Sequence, residues 1–180
     1  SVNYYNNVLH YIDSLVGEIL DDLKSKCDLD NTCVIITGDC GYDFNDLNKN
    51  YWGHFSNFSR FQTQVPCVVA NVGGLKGDMN CRTSHYDIAP SIMNDLFEID
   101  ASIHDYGLGK PLSDTGEASD ILVSNGCHMG LITDEYIVNL YKNGESQFYD
   151  HSMNPHEFGS IDEKSFRAAL FNMKRFYAPN

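Results

Sequence analysis

The run Thr32-Cys-Val-Ile-Ile-Thr37, closed abruptly by Gly38-Asp39-Cys40-Gly41, limits the possible folds of this chain more than any other stretch. It is β-branched almost throughout and lacks polar alternation, so both faces of the pleat ask for cover. That is the pattern of a strand buried in a parallel sheet. Val65 to Val72 reads as a second such strand, with Pro66 at its start, where a missing donor is tolerated. Upstream, Val8, Ile12, Leu15, Ile19 and Leu23 recur at helical spacing, and Leu9, Val16 and Leu20 widen the stripe, predicting a helix from Asn3 to about Ser25 that buries this face. Downstream of a break at Gly73-Gly74 and Gly77, Asp87 is a good N-cap, with Pro90 in the first turn, for a helix over Ile88 to Phe97. Helix, strand, long loop, strand and helix make an α/β arrangement.

The grammar changes after Ala101 to Glu117, which holds Gly107, Gly109, Pro111 and Gly116 and has no period. Residues 1–112 therefore read as an α/β domain or part of one, and 113–180 as a carboxyl-terminal subdomain. In the latter, Asp120 to Ser124 and Cys127 to Thr133 flank Asn125-Gly126, a signal for a hairpin with a type I′ turn. Tyr136 to Tyr141 and Gln147 to Tyr149, split by Asn143-Gly144, extend it to an antiparallel meander. A capping box, Ser160-Ile-Asp-Glu163, opens a last helix packed through Phe166, Leu170, Met173 and Tyr177, and Pro179 stops it.

Lys and Arg number 12 against 25 Asp and Glu, a formal charge of -13 over 180 residues. Such a field repels nucleic acid and an anionic bilayer surface alike. No apolar run approaches the ~20 residues that cross a bilayer. The chain opens at Ser1-Val-Asn-Tyr with no initiator Met, basic n-region or apolar h-region, so any targeting or anchoring signal is expected outside it. Six cysteines occur without Cys-x-x-Cys pairing; Cys33, Cys67 and Cys127 read as small core hydrophobes, while Cys27 and Cys81 sit in polar stretches as thiols or half-cystines.

The candidate chemistry lies at the end of the first strand. Ligand crevices of parallel α/β sheets form at strand carboxyl ends, which is where Asp39 stands. Fifteen residues later comes Trp52-Gly53-His54, inside an irregular loop from Tyr42 to Gln64 too long to be plain connection. Aspartate and histidine are common ligands for a divalent ion, and Cys40 adds a soft thiolate donor. The same residues also read structurally: Asp39 capping a turn, Cys40 packing inward, His54 as one more loop histidine. Asn57-Phe-Ser59 matches a glycosylation sequon and is read as chance.

Five blocks taken in order carry more weight: Tyr5-Asn-Asn-Val-Leu-His-Tyr-Ile-Asp13-Ser-Leu-Val-Gly17, Asn31 to Gly41, Gly53-His54, Gln64-Val65-Pro66, and Thr83-Ser84-His85-Tyr86-Asp87-Ile-Ala-Pro90. Together they resemble the carboxyl-terminal half of the sulfatase-like members of the alkaline phosphatase superfamily. Asn50-Tyr-Trp-Gly-His54-Phe-Ser-Asn57-Phe-Ser-Arg60 and Lys174 to Asn180 are similar to the inner-membrane sulfatase-like proteins of the PbgA/YejM type. The resemblance implies the carboxyl-terminal portion of a periplasmic domain of a bacterial inner-membrane protein, partnered by the rest of that domain and by membrane helices. It further implies a divalent ion (zinc, manganese, magnesium or calcium) at Asp39, Cys40 and His54, held jointly with residues outside the segment. His54 would be the catalytic proton donor to a leaving group, and Arg60 would contact an anionic substrate. Catalytic relatives, however, carry Asp-His-Gly where this chain has Asp39-Cys40-Gly41. Their metal-held nucleophile also has no counterpart here, since Cys81-Arg-Thr-Ser-His85 lacks the proline of the Cys-x-Pro-x-Arg signature. Two expectations follow. One is a metal-dependent hydrolase or transferase of sulfate or phosphate esters. The other is a non-catalytic or weakly catalytic scaffold binding lipid or a regulatory protein in envelope and lipopolysaccharide homeostasis. In either case Asp87 is expected to cap its helix and His85 to be a structural hydrogen-bond partner.

Overall fold

The computed structural model describes residues 2–70, 81–114 and 120–156, with Lys164, Arg167 and Phe171. The Gly73-Gly74 and Gly77 break, the Ser160 capping box and the stripe Phe166, Leu170, Met173 and Tyr177 lie outside the described residues. The chain forms two compact units, one drawn from Ser1–Thr37 and Pro66–Gly74, the other from Gly38–Val65 and Leu75–Asn180.

In the first unit, helix α1 spans Val2–Lys26. Its last turn carries Lys24 and Lys26, cations that suit the negative end of a helix dipole, and Lys26 Nζ lies 2.6 Å from Asp22. Asp28 then caps a single 3-10 turn, Leu29–Asn31, through a bond from the Asp30 amide. Strand β1, Val34–Thr37, follows. It pairs with β4, Cys67–Ala70, and the Thr37 hydroxyl donates to Pro66 O at 2.9 Å.

The β1–β4 pairing corrects the expectation of a parallel sheet, because the register Val34↔Ala70 to Thr37↔Cys67 is antiparallel. With one neighbour in its sheet among the described residues, β1 is half-buried rather than covered on both faces, and Val68 of β4 is 52% exposed. The α1 stripe differs from expectation in the same way. The helix forms where its period predicts, yet it has no buried residue, and Val8, Leu9, Ile12, Leu15 and Ile19 are exposed. Periodicity selects the helix; burial needs a partner surface, which the described residues do not supply.

In the second unit, the short hairpin of β2, Asp43–Phe44, and β3, Trp52–Gly53, is followed by α2, Arg60–Thr63. A 3-10 turn at His85–Asp87 leads into α3, Ile88–Pro90, which continues as a π-helical stretch, Ser91–Leu96, closed by Phe97 N–H to Ile92 O. Strands β5, Ile121–Ser124, β6, Met129–Ile132, β7, Ile137–Leu140, and β8, Ser146–Tyr149, form the antiparallel meander in sequence order.

The β5–β6 turn is not of type I′. Gly126 has φ +80° but Asn125 has no positive φ, and the Asn125 side chain instead accepts from the Cys127 and His128 amides, making a four-residue link. All six cysteines are free thiols; Cys67 and Cys127 are exposed and Cys33 half-buried, so these three are not the core residues their apolar neighbours suggested.

The meander is buried on both faces. Leu131, Tyr136 and Val138 cluster on one, with Leu122, Leu140 and Phe148 packed against them. On the other, Ile137 and Met153 pack with Phe58 from the loop that follows β3. Gly130 is what admits that ring: a Cβ there would stand 2.5 Å from Phe58 Cδ2. Phe58 thereby fixes the loop bearing His54 to the sheet.

Candidate functional site

Gly38 to Gly41 is tied within the second unit to the His85 side chain and to the backbone of α2. His85 Nε2 bonds Gly38 O at 2.8 Å, and the Gly41 amide donates to Gln62 O of α2 at 2.9 Å. The approach to α2 requires glycine, since a Cβ at Gly41 would lie 2.2 Å from Phe61 O. His85 is thus a structural hydrogen-bond partner, as its sequence context suggested. Asp87 is buried and, contrary to expectation, makes no side-chain cap bond to α3; Ser84 is the N-cap, of the 3-10 turn, and Asp87 stands at its third position. Its Oδ2 closes a capping box with Ser84, and its Oδ1 accepts the Lys110 amide at 2.9 Å. That second bond ties the helix start to the Gly107–Pro111 region, where Gly109 packs so close that a Cβ would meet Asp87 Oδ1 at 2.3 Å.

Asp39 is exposed, and its Oδ1 accepts the Cys40 amide at 2.8 Å. Cys40 is half-buried, and its thiol is pushed up, first by burial and then by the charge and hydrogen bond of Asp39. A thiol ligand must lose its proton to hold a metal, and this environment opposes that loss. His54 is exposed, its ring 4.5 Å from Phe55 and edge-on to Tyr42 at 6.2 Å. Arg60 is exposed at the start of α2, its guanidinium 4.9 Å over the Phe61 ring, and it joins none of the ion pairs among the described residues. Asp39 and Cys40 therefore meet, and His54 sits with aromatic rings. Among the described residues no group of three or more His, Cys, Asp or Glu side chains is gathered to hold a metal ion. By themselves, the described donors of this segment do not make a site for a divalent ion.

The frame beneath His54 is a buried polar network that the sequence reading passed over. Asp43 is fully buried, and its Oδ1 accepts the amides of Asn45 and Asp46 while Asn57 Nδ2 reaches its Oδ2. Gln62, also buried, accepts from the Ser56 and Asn57 amides through Oε1 and donates to Ser56 Oγ at 2.6 Å. Asn57 Oδ1 in turn accepts the Ser59 amide at 2.7 Å. Buried groups this fully bonded rigidify a loop. The side chain of Asn57 is therefore closed to glycosylation, and the sequon is chance. The available signal was the density of Asn, Ser and Gln in a stretch too long for a plain connection.

Residues 1–97, more than half of the chain, match the family model described as "Sulfatase". The chain belongs to the sulfatase family. Within this sulfatase-family chain, 121 residues are 32% identical to an uncharacterized protein of Haemophilus influenzae, covering 67% of the chain and 20% of that protein. Over 150 residues it is 23% identical to the inner membrane protein YejM of Salmonella typhimurium, covering 83% of the chain and 25% of YejM, and the figures for the Salmonella typhi protein are the same. The chain is thus homologous to YejM over most of its length and spans a fifth to a quarter of these relatives. No described helix is long and apolar enough to cross a membrane.

Proposed function

We propose that this sulfatase-family segment serves in a periplasmic domain of an inner-membrane protein as a non-catalytic or weakly catalytic module that binds lipid or a regulatory protein, in envelope and lipopolysaccharide homeostasis. The observation that carries the reading is the strand end Asp39-Cys40-Gly41. There a thiol stands in the position of the imidazole of catalytic relatives, and the neighbouring carboxylate accepts the thiol residue's own amide. Oxygen-preferring ions are poorly served by sulfur, so the substitution weakens a magnesium, manganese or calcium site directly. Homology to an inner membrane protein supports the location. The exposed apolar face of α1 and the single-partner strand β1 suit coverage by further strands and helices of a longer domain.

Metal content of the protein at its natural length, compared with its Asp39→Ala and Cys40→His variants, tests the reading. The expected result is no stoichiometric divalent ion in the wild type and a gain in Cys40→His. A stoichiometric ion in the wild type that Asp39→Ala loses would overturn the non-catalytic reading in favour of the alternative, a metal-dependent hydrolase or transferase of sulfate or phosphate esters. In that case His54 would be the proton donor and Arg60 the contact to the anionic group.

A further inference from the structure

Between β3 and the buried stretch Asn57 to Ser59, the loop shows three residues to solvent: His54, Phe55 and Ser56. Packing holds so exposed a segment weakly, so its shape depends on the bonds made to its backbone. Among the described residues there are two. Asn125 Nδ2 donates to Phe55 O at 3.0 Å, and the Ser56 amide donates to Gln62 Oε1 at 2.9 Å. The carbonyl and the amide belong to one peptide unit, so two side chains grip its two ends and fix its plane.

That plane matters because Phe55 lies at φ +63°, a left-handed conformation that a bulky side chain rarely adopts. A conformation of this kind persists where surrounding bonds over-determine it. With the grip in place, the Phe55 ring lies 4.5 Å from the His54 ring at an interplanar angle of 69°, and Tyr42 stands edge-on to the same imidazole at 6.2 Å and 90°. His54 makes no hydrogen bond among the described residues, so these two rings set its orientation.

Gln62 belongs to the buried network of the loop itself. Asn125 comes from seventy residues further on, in the link between β5 and β6. Its Oδ1 accepts the Cys127 and His128 amides at 3.1 and 2.8 Å, so its own turn aims the amide group at Phe55. Phe58, seated over Gly130 of β6, keeps loop and link side by side. Asn125 also lies beyond residues 1–97, the part that matches the sulfatase family, so half of the grip is supplied from outside the matched segment.

We infer that Asn125 is a positioning residue for His54: its amide holds the Phe55–Ser56 peptide in the plane that keeps Phe55 left-handed and its ring against the imidazole. The inference rests on the reading of His54 as a residue of the site, and it goes beyond that reading by giving the meander a part in the site's geometry.

The test is carbethoxylation by diethyl pyrocarbonate, followed histidine by histidine by mass spectrometry on the protein at its natural length. Asn125→Ser keeps an oxygen for the turn amides, adds no charge and stops short of Phe55 O. His54 is expected to react about two- to tenfold faster in that variant, the change in population that one net hydrogen bond supports, while His128 at the end of the same turn keeps its wild-type rate. Glycine takes a left-handed φ freely, so in a Phe55→Gly background Asn125→Ser is expected to add nothing. An unchanged His54 rate in Asn125→Ser overturns the inference. A rise shared by His128 also overturns it, because it marks a loosened turn. So does a full effect of Asn125→Ser in the Phe55→Gly background, which would show that Asn125 does not act through Phe55. The reagent needs no metal, substrate or partner, so failure of the proposed function leaves each of these outcomes readable.

Discussion

Replacing Gly41 by alanine tests the packing argument at the candidate site directly. The added Cβ would sit 2.2 Å from Phe61 O, 2.9 Å from Phe61 C and 3.2 Å from Gln62 Cα, about 1 Å inside an ordinary carbon–oxygen contact. All three atoms are backbone, so no rotamer change relieves the clash. Either α2 retreats or the Gly38–Gly41 turn does. Both lose the Gly41 N–H to Gln62 O bond, and a retreat of α2 also disturbs the Gln62 bonds to Ser56 and Asn57. Overpacking costs about 1–3 kcal/mol and a lost hydrogen bond about 0.5–1.5 kcal/mol, so the expected destabilisation is about 2–4 kcal/mol. At a urea m-value of about 2 kcal/mol/M the midpoint falls by roughly 1–2 M. Gly17→Ala is the control. It lies in α1 with nothing within 4 Å of its would-be Cβ, so the same chemical change is expected to stabilise that helix by up to about 1 kcal/mol, read from amide exchange in α1. An unchanged urea midpoint for Gly41→Ala, at unchanged m, would refute the close approach of Gly41 to α2.

Phe58→Ala empties the contact between the His54 loop and the meander and is expected to cost about 3–5 kcal/mol in chemical denaturation. Gly130→Ala is expected to be destabilising alone but nearly neutral in the Phe58→Ala background; additive effects of the two changes would show that Phe58 does not occupy the space over Gly130. Tyr149 is pushed up to about 12, chiefly by burial and then by its tyrosine neighbours. Because the folded state holds that proton more tightly than the unfolded chain, its contribution is complete below pH about 10 and is lost as pH rises from about 10 to about 12. Tyr149→Phe should flatten that alkaline loss, measured as denaturation midpoint against pH. Asp150 is held low by bonds from the Asn154 side chain and amide, so its contribution is present above the usual carboxylate range and fades as pH falls. Asn154→Ala should make the acid limb of the same curve shallower, and an unaltered limb would count against that pairing.

The sequence determined the local elements, because those depend on period and on residue type. The 3.6-residue repeat gave α1 over Val2–Lys26, the β-branched runs gave β1 and β4, and the alternating stretches after Asp120 gave the four-stranded meander. The ordered blocks around Asp39, His54 and Asp87 also carry the resemblance to the sulfatase family to which the chain belongs. Direction of pairing and burial were not legible, since an apolar strand states only that it needs cover and not which neighbour supplies it or in what sense. Thus β1 meets β4 antiparallel, and the apolar stripe of α1 faces solvent. Tertiary structure alone decided that Phe58 seats in the hollow over Gly130, that Asp43, Asn57 and Gln62 form one buried network, and that Phe55 is held outward at a left-handed φ. Each depends on atoms brought together from distant positions, such as Asn125 on Phe55, and such a meeting leaves no trace in residue spacing.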